Sequence, residues 1–314
     1  MATPARNPHE DYDEFGLFHE NASEAGLEWH GPPTVARVET TLDDGRVMRA
    51  LRWGTDPVEI VFLHGGGQNA HTWDTVALAL DRPLLAIDLP GHGHSDEAGS
   101  ERALSPRSLA EDMAVVVREH APGAALVVGM SMGGMTAMEL AVVAPELVRK
   151  LLMVDVTPGA DHEKASDVVA FLAGPESFAS FEEILERTVA FNPTRRESSL
   201  RRGILHNAVQ QEDGSWVWRH QRGGSRAIDG RRAADLDFDQ YWDDLGSITV
   251  PVRLLVGDRS TVVDDDDKAK FAERQPDAEI VTVADAGHSI QGDQPLELAR
   301  LIDAFLASDE RTGA

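Results

Sequence analysis

From Thr34 onward the chain alternates short apolar runs with amphipathic stretches. Thr34–Thr41 and Arg46–Trp53 have the pattern of strands and flank Asp44-Gly45, a hairpin signal. Glu59–Leu63, Pro83–Ile87, Ala124–Gly129, Lys150–Val154, Val252–Val256 and Ile280–Val283 are apolar runs of strand length. Helical patterns separate them. Thr72–Leu80 is one. A second opens at Ser105-Pro106, a cap followed by proline at the first helical position, and puts Leu109, Met113 and Val117 on one face. Met132–Ala144 is apolar nearly all round, which predicts a buried helix. Glu297–Leu306 carries Leu298, Leu301, Ile302 and Phe305 on one stripe. Apolar strands alternating with helices predict an α/β architecture. Its sheet has eight strands, is mainly parallel with an antiparallel hairpin at one edge, and is covered by helices on both faces.

The alternation stops between Asp155 and Pro251. Ser166–Leu172, Ser180–Val189 and Glu197–Val209 read as helices there, followed by an aromatic segment with Trp216 and Trp218. An insertion of this size between two sheet strands is expected to form a lid. The organisation is therefore an N-terminal extension over residues 1–33, a core over 34–155 and 250–310, and a helical lid over 156–249. The extension has no clean period and is expected as a loosely docked arm. The run Asp264–Asp267 is expected as the exposed first turn of a helix, where negative charge suits the dipole.

Composition narrows the function classes. The 314 residues are 42% hydrophobic, enough to bury a sizeable core, and the formal net charge is −25. Such a surface repels nucleic acid and anionic lipid, so neither is an expected partner. There is no cysteine, which excludes disulfides, thiolate metal sites and a thiol nucleophile. Met1–Glu20 is acidic and lacks an apolar run, so no export signal is expected, and no stretch approaches a membrane span. A cytoplasmic protein is the expectation. No His/Asp/Glu set shows metal-ligand spacing, so neither metal nor cofactor is expected.

The sharpest chemical feature is Gly129-Met130-Ser131-Met132-Gly133, where a buried strand ends and an apolar helix begins. A turn this tight needs residues without bulk around the serine, and it lifts the Ser131 hydroxyl to the top of the sheet. A serine hydroxyl needs a base. His288, in Asp285-Ala286-Gly287-His288, lies between the last strand and the last helix. A developing oxyanion needs two backbone donors. The amide of Met132, at the helix start, is one candidate. Gly66, in His64-Gly65-Gly66-Gly67, is the other, and His64 itself is expected to be structural.

These stretches, with Asp88-Leu89-Pro90-Gly91-His92-Gly93-His94-Ser95, follow the order of the α/β-hydrolase superfamily. The chain resembles its lid-bearing branch from about Thr34 to Leu306. That resemblance implies the α/β-hydrolase fold and a Ser-His-Asp triad. Its usual acid position, in the loop after Val252–Val256, is here Ser260, within Gly257-Asp258-Arg259-Ser260-Thr261. Two acids remain: Asp155, at the end of the strand after the nucleophile helix, which is favoured, and Asp258. The implied activity is cleavage of a small-molecule carboxylic ester or lactone through an acyl-enzyme. Carbon–carbon bond hydrolysis, cofactor-free haloperoxidase or perhydrolase chemistry, and a low-turnover ligand-binding protein are the alternatives. Trp216, Trp218 and Trp242 are candidates for either pocket wall or lid core.

Overall fold

A computed structural model describes residues 12–97, 104–160, 164–220 and 238–309. Residues 1–11 of the expected extension, 221–237 of the expected lid and the core's last position, 310, lie outside these. The apolar runs become β1 (Val35–Thr41), β2 (Val47–Trp53), β3 (Ile60–Leu63), β4 (Leu84–Asp88), β5 (Leu126–Met130), β6 (Leu151–Val154), β7 (Ala208–Gln210), β8 (Trp216–Trp218), β9 (Val252–Gly257) and β10 (Glu279–Val283). Eight of them form one sheet in the order β1-β2-β4-β3-β5-β6-β9-β10. β1 with β2 and β2 with β4 are antiparallel, and every other neighbouring pair is parallel.

The central strands are buried on both faces because successive side chains feed different cores. Val61, Leu63, Val127, Met153 and Leu254 point to one, and Ile60, Phe62, Val128, Leu152 and Leu255 to the other. The helices are α1 (Phe18–Ala25), α2 (Asp74–Leu80), α3 (Pro106–His120), α4 (Met132–Val143), α5 (Ser166–Leu172), α6 (Phe181–Phe191), α7 (Glu197–Asn207), α8 (Phe238–Ser247), α9 (Asp265–Arg274), α10 (Ile290–Asp293) and α11 (Pro295–Leu306). α3, α4, α8 and α9 cover the first core; α1, α2 and α11 cover the second. Ser105 and Ser108 cap α3 reciprocally, with Pro106 in its first turn. Among the described residues no helix is long and apolar enough to cross a membrane.

Four local expectations change. The N-terminal segment forms α1, whose Phe18 is buried 4.8 Å from the ring of Trp53, so its described part is docked rather than loose. The aromatic segment after α7 is a strand: Ala208–Gln210 pairs antiparallel with Trp216–Trp218. α8 lies in the stretch assigned to the lid, yet Tyr241, Trp242 and Leu245 pack into the first core. In Asp264–Asp267, Asp264 does cap α9, but Asp267 is buried and binds Lys164 Nζ at 2.7 Å. α6, α7 and the β7–β8 hairpin form a third apolar cluster of their own, with Phe178, Ile184, Leu205 and Trp216 at its centre.

Candidate active site

Strand register gathers the chemistry at one sheet edge. Met130 of β5 is level with Val154 of β6, and Val154 with Leu255 of β9. Ser131 and Asp155 therefore emerge side by side, each one residue past its strand. The Ser131 amide donates to Val154 O (3.1 Å) and the Asp155 amide to Leu255 O (2.7 Å). Both residues sit at φ 52°, a backbone region that costs a non-glycine residue free energy and that clusters at functional sites. The glycines around Ser131 allow this. A β-carbon on Gly129 would enter the carbonyl of Gly133, and one on Gly133 would enter the carbonyls of Leu63 and His64.

His288 Nε2 lies 3.1 Å from Ser131 Oγ, and its Nδ1 lies 2.7 Å from Asp155 Oδ2. Asp155 is fully buried and fully engaged. Its Oδ1 accepts from Gly257 N–H at 2.9 Å, and its Oδ2 also accepts from Ser260 Oγ at 2.5 Å. Ser260 thus stands at the acid position that the resemblance implied and donates to Asp155 instead. Val262 N–H donates to Ser260 Oγ at 3.2 Å, which leaves the hydroxyl proton free to point at Asp155. Asp258 is exposed and reaches neither His288 nor Ser131; its carboxylate accepts from Ala286 N–H at 3.1 Å, two residues before His288. Asp293 takes the Gly287 N–H at 2.9 Å, and Arg195 holds both Asp293 (2.6 Å) and Ser289 O (3.0 Å). The loop bearing His288 is thereby fixed from three sides.

The glycine turn after β3 is ordered by Gln68 and by His92 of the Gly91–Ser95 turn, a stretch whose sequence reads as shaping this loop. Gly65 N–H donates to Gln68 Oε1 (3.2 Å), and Gly67 N–H to His92 Nε2 (3.1 Å). His92 can accept there because its Nδ1–H donates to Pro90 O at 3.0 Å. Among the described residues the amides of Gly66 and Met132 have no protein acceptor. The need for glycine lies beside Gly66 rather than at it. A β-carbon at Gly65 would come within 2.5 Å of Met130 Sδ, and Gly67 has φ 72°, whereas Gly66 faces only Leu172 at 3.7 Å.

His64 is buried and bonded only to backbone groups. Its Nδ1–H donates to Gly65 O (2.8 Å), its Nε2 accepts from Leu89 N–H (2.9 Å), and burial presses its pKa down to about 3. Asp88, also buried, accepts from Ala70 N–H, His94 N–H and Arg37, and the Arg37 guanidinium helps hold it ionised. The Asp88–Ser95 stretch is therefore a brace for the glycine turn. His92 could have been picked out by its place between Gly91 and Gly93.

A cavity of about 950 Å³ opens over Ser131. Met130, Phe171, Leu172, Phe191 and Trp218 give it apolar walls, while Trp216 and Trp242 are buried elsewhere. A second polar group also borders it: His71 and Asp74, beside the start of α2, meet His206 of α7. Only two of these three share a local spacing, so nothing in the sequence joins them.

A family model described as "Alpha/beta hydrolase family" matches residues 60–301. The Mycobacterium tuberculosis esterase Rv0045c is 43% identical over 304 residues, spanning 94% of this chain and 96% of that protein. The pimeloyl-[acyl-carrier protein] methyl ester esterase of Yersinia pestis is 30% identical, spanning 84% of this chain and 100% of its own length. A solved structure of Rv0045c, from work on its transition metal inhibition, superposes with a TM-score of 0.82 at 42% identity, covering 95% of this chain and 100% of that one.

Proposed function

Because the chain belongs to the alpha/beta hydrolase family and is a hydrolase acting on ester bonds, we propose that Ser131, His288 and Asp155 are its catalytic triad. The observation that carries this reading is the unbroken series Ser131 Oγ, His288 Nε2, His288 Nδ1, Asp155 Oδ2, with gaps of 3.1 and 2.7 Å. His288 takes the proton of Ser131 as the hydroxyl attacks the ester carbonyl. Asp155 holds the tautomer that leaves Nε2 bare and stabilises the imidazolium that forms. The oxyanion is received by the amides of Gly66 and Met132, the pair left without protein acceptors. His288 then protonates the leaving alcohol, and water attacks the acyl-enzyme by the same route in reverse.

The substrate is a carboxylic ester or lactone of small to medium size with a largely apolar acyl part. About 950 Å³ is at the upper end of ordinary small-molecule sites, and its apolar walls suit a hydrocarbon chain. A panel of nitrophenyl esters and lactones of rising chain length, with fluorophosphonate labelling, tests the proposal. Label should attach at Ser131 and be lost in Ser131→Ala; label elsewhere, or hydrolysis that survives Ser131→Ala, sinks it.

A further inference from the structure

Among the described residues, one group of His, Cys, Asp or Glu side chains brings three possible ligand atoms within 4.8 Å of one another: His71, Asp74 and His206. All three are buried, at 8%, 2% and 4% exposure. Asp74 Oδ2 lies 2.9 Å from His71 Nδ1 and 3.8 Å from His206 Nε2. A tetrahedral ion with bonds of about 2.1 Å sets its ligands about 3.4 Å apart, and these two separations straddle that figure. The imidazole rings lie face to face, 3.8 Å between centroids and 9° from parallel, so taking up an ion requires His206 to turn out of the stack and aim its Nε2 at the point shared by the other two ligands.

Further features bear on a metal. Each histidine has its other nitrogen already held: His71 Nε2 by Glu14 Oε1 at 3.0 Å, and His206 Nδ1 by the Tyr12 hydroxyl at 2.6 Å. Such outer partners fix ring orientation at metal sites. Asp74 Oδ1, the carboxylate oxygen not engaged by His71, is buried with no hydrogen-bond partner, so the group keeps an unused acceptor beside the one measured above. Of the nearby guanidiniums, Arg202 is bound to Glu24 and Arg37 to Glu14 and Asp88, while Arg219 adds positive charge near His206. All three side chains border the cavity that also holds Ser131, which gives an ion a way in and an open fourth position.

We infer that His71, Asp74 and His206 form a binding site for a single divalent transition-metal ion. Two imidazole nitrogens and one carboxylate oxygen favour zinc, copper or nickel over magnesium or calcium. The ligands come from both sides of a seam, His71 and Asp74 from the core and His206 from α7, and the outer partners come from the N-terminal segment. A bound ion therefore clasps α7 and residues 12–14 to the core, away from the Ser131–His288 pair.

The test uses the full chain freed of metal by chelation. Zn²⁺ titration by calorimetry should give one site per chain, and Cu²⁺ should show an electron-spin signal split by two nitrogens. His206→Gln should weaken Zn²⁺ binding by at least ~10-fold, and His288→Gln should leave it unchanged. Glu14→Gln keeps all three ligands and should weaken binding more mildly, which covers the case in which His206→Gln does not fold. Zn²⁺ should also raise the melting temperature of wild type but not of His206→Gln. The inference is overturned if wild type binds no ion or gives no two-nitrogen signal. It is equally overturned if binding persists in His206→Gln and vanishes in His288→Gln, which would put the ion on the catalytic histidine.

Discussion

Replacing Asp155 by asparagine tests the proposed triad most sharply, because the structure dictates how the amide must sit. Oδ1 accepts from the backbone N–H of Gly257 at 2.9 Å, and only the carbonyl oxygen of asparagine can take that place. The amide nitrogen is then driven to the Oδ2 position, facing His288 Nδ1 and Ser260 Oγ. Ser260 can turn its hydroxyl to accept. His288 can only offer the Nδ1 lone pair, so its proton moves to Nε2, the atom that must receive the proton of Ser131. Two losses combine. The base is held in the wrong tautomer, and the imidazolium of the transition state loses its counter-charge. A carboxylate and an imidazolium centred about 4 Å apart interact by about 4 kcal/mol at the effective dielectric of a partly buried pair. That corresponds to a fall in kcat of about 10³-fold, and the tautomer penalty carries it toward 10⁴. The replacement is isosteric, so the melting temperature should stay close to wild type. Asp258→Asn should differ little from wild type, since an amide oxygen can still accept from Ala286 N–H. The assay is kcat on an activated ester, with circular dichroism melting as the folding control. Turnover of Asp155→Asn within tenfold of wild type, or an equal collapse in Asp258→Asn, would refute the reasoning.

Other consequences can be checked with the same assays. Ser260→Ala removes one of the donors that aim Asp155 at His288, so kcat should fall by about 3–10-fold with KM little changed, and an unchanged kcat would show that Ser260 does not act through Asp155. Gly133→Ala forces β3 and α4 apart and should cost roughly 3 kcal/mol, visible as a melting temperature lower by about 6 °C or more; unchanged melting would contradict the packing. Burial and the neighbouring Asp244 raise the Glu139 pKa from 4.5 to about 7. Its folded-state pKa lies above the unfolded value, so the stability present below pH 4.5 is lost as pH rises through 7. Glu139→Gln should accordingly gain melting temperature over wild type at pH 8 and lose that advantage at pH 4.5, and a pH-independent difference would rule this out.

Much of this molecule can be read from local pattern, for a physical reason. Strands buried on both faces need continuous apolar runs, and the helices beside them need apolar stripes, so the order of the eight sheet strands along the chain is written in the residues themselves. The serine turn is legible because bulk is sterically impossible at Gly129 and Gly133. What stays hidden is settled by partners far away in sequence. Nothing near Asp267 shows that Lys164 will bury it, and nothing near Trp242 shows that α8 will leave the third cluster for the main core. His71, Asp74 and His206 meet only once α7 packs beside the Ala70–Trp73 turn. The Gly66 amide illustrates a finer limit. Three consecutive glycines suggest one shared role, yet two are held to glycine by space or backbone angle, while Gly66 meets neither constraint and is marked instead by an N–H with no protein acceptor among the described residues.

The position of the proposed acid follows from the same register that orders the sheet. β6 and β9 are neighbours, with Val154 level with Leu255. A side chain leaving the end of β6 and one leaving the loop after β9 can therefore reach the same point beside His288. Asp155 arrives from β6 and accepts from Gly257 and Ser260 of the other loop. Had the carboxylate come from position 260, the residue at 155 would have stood in the donor's place. The apparent gap at Ser260 thus reads as an exchange of roles between adjacent strand ends: one supplies the carboxylate, and the other supplies hydrogen bonds that aim it.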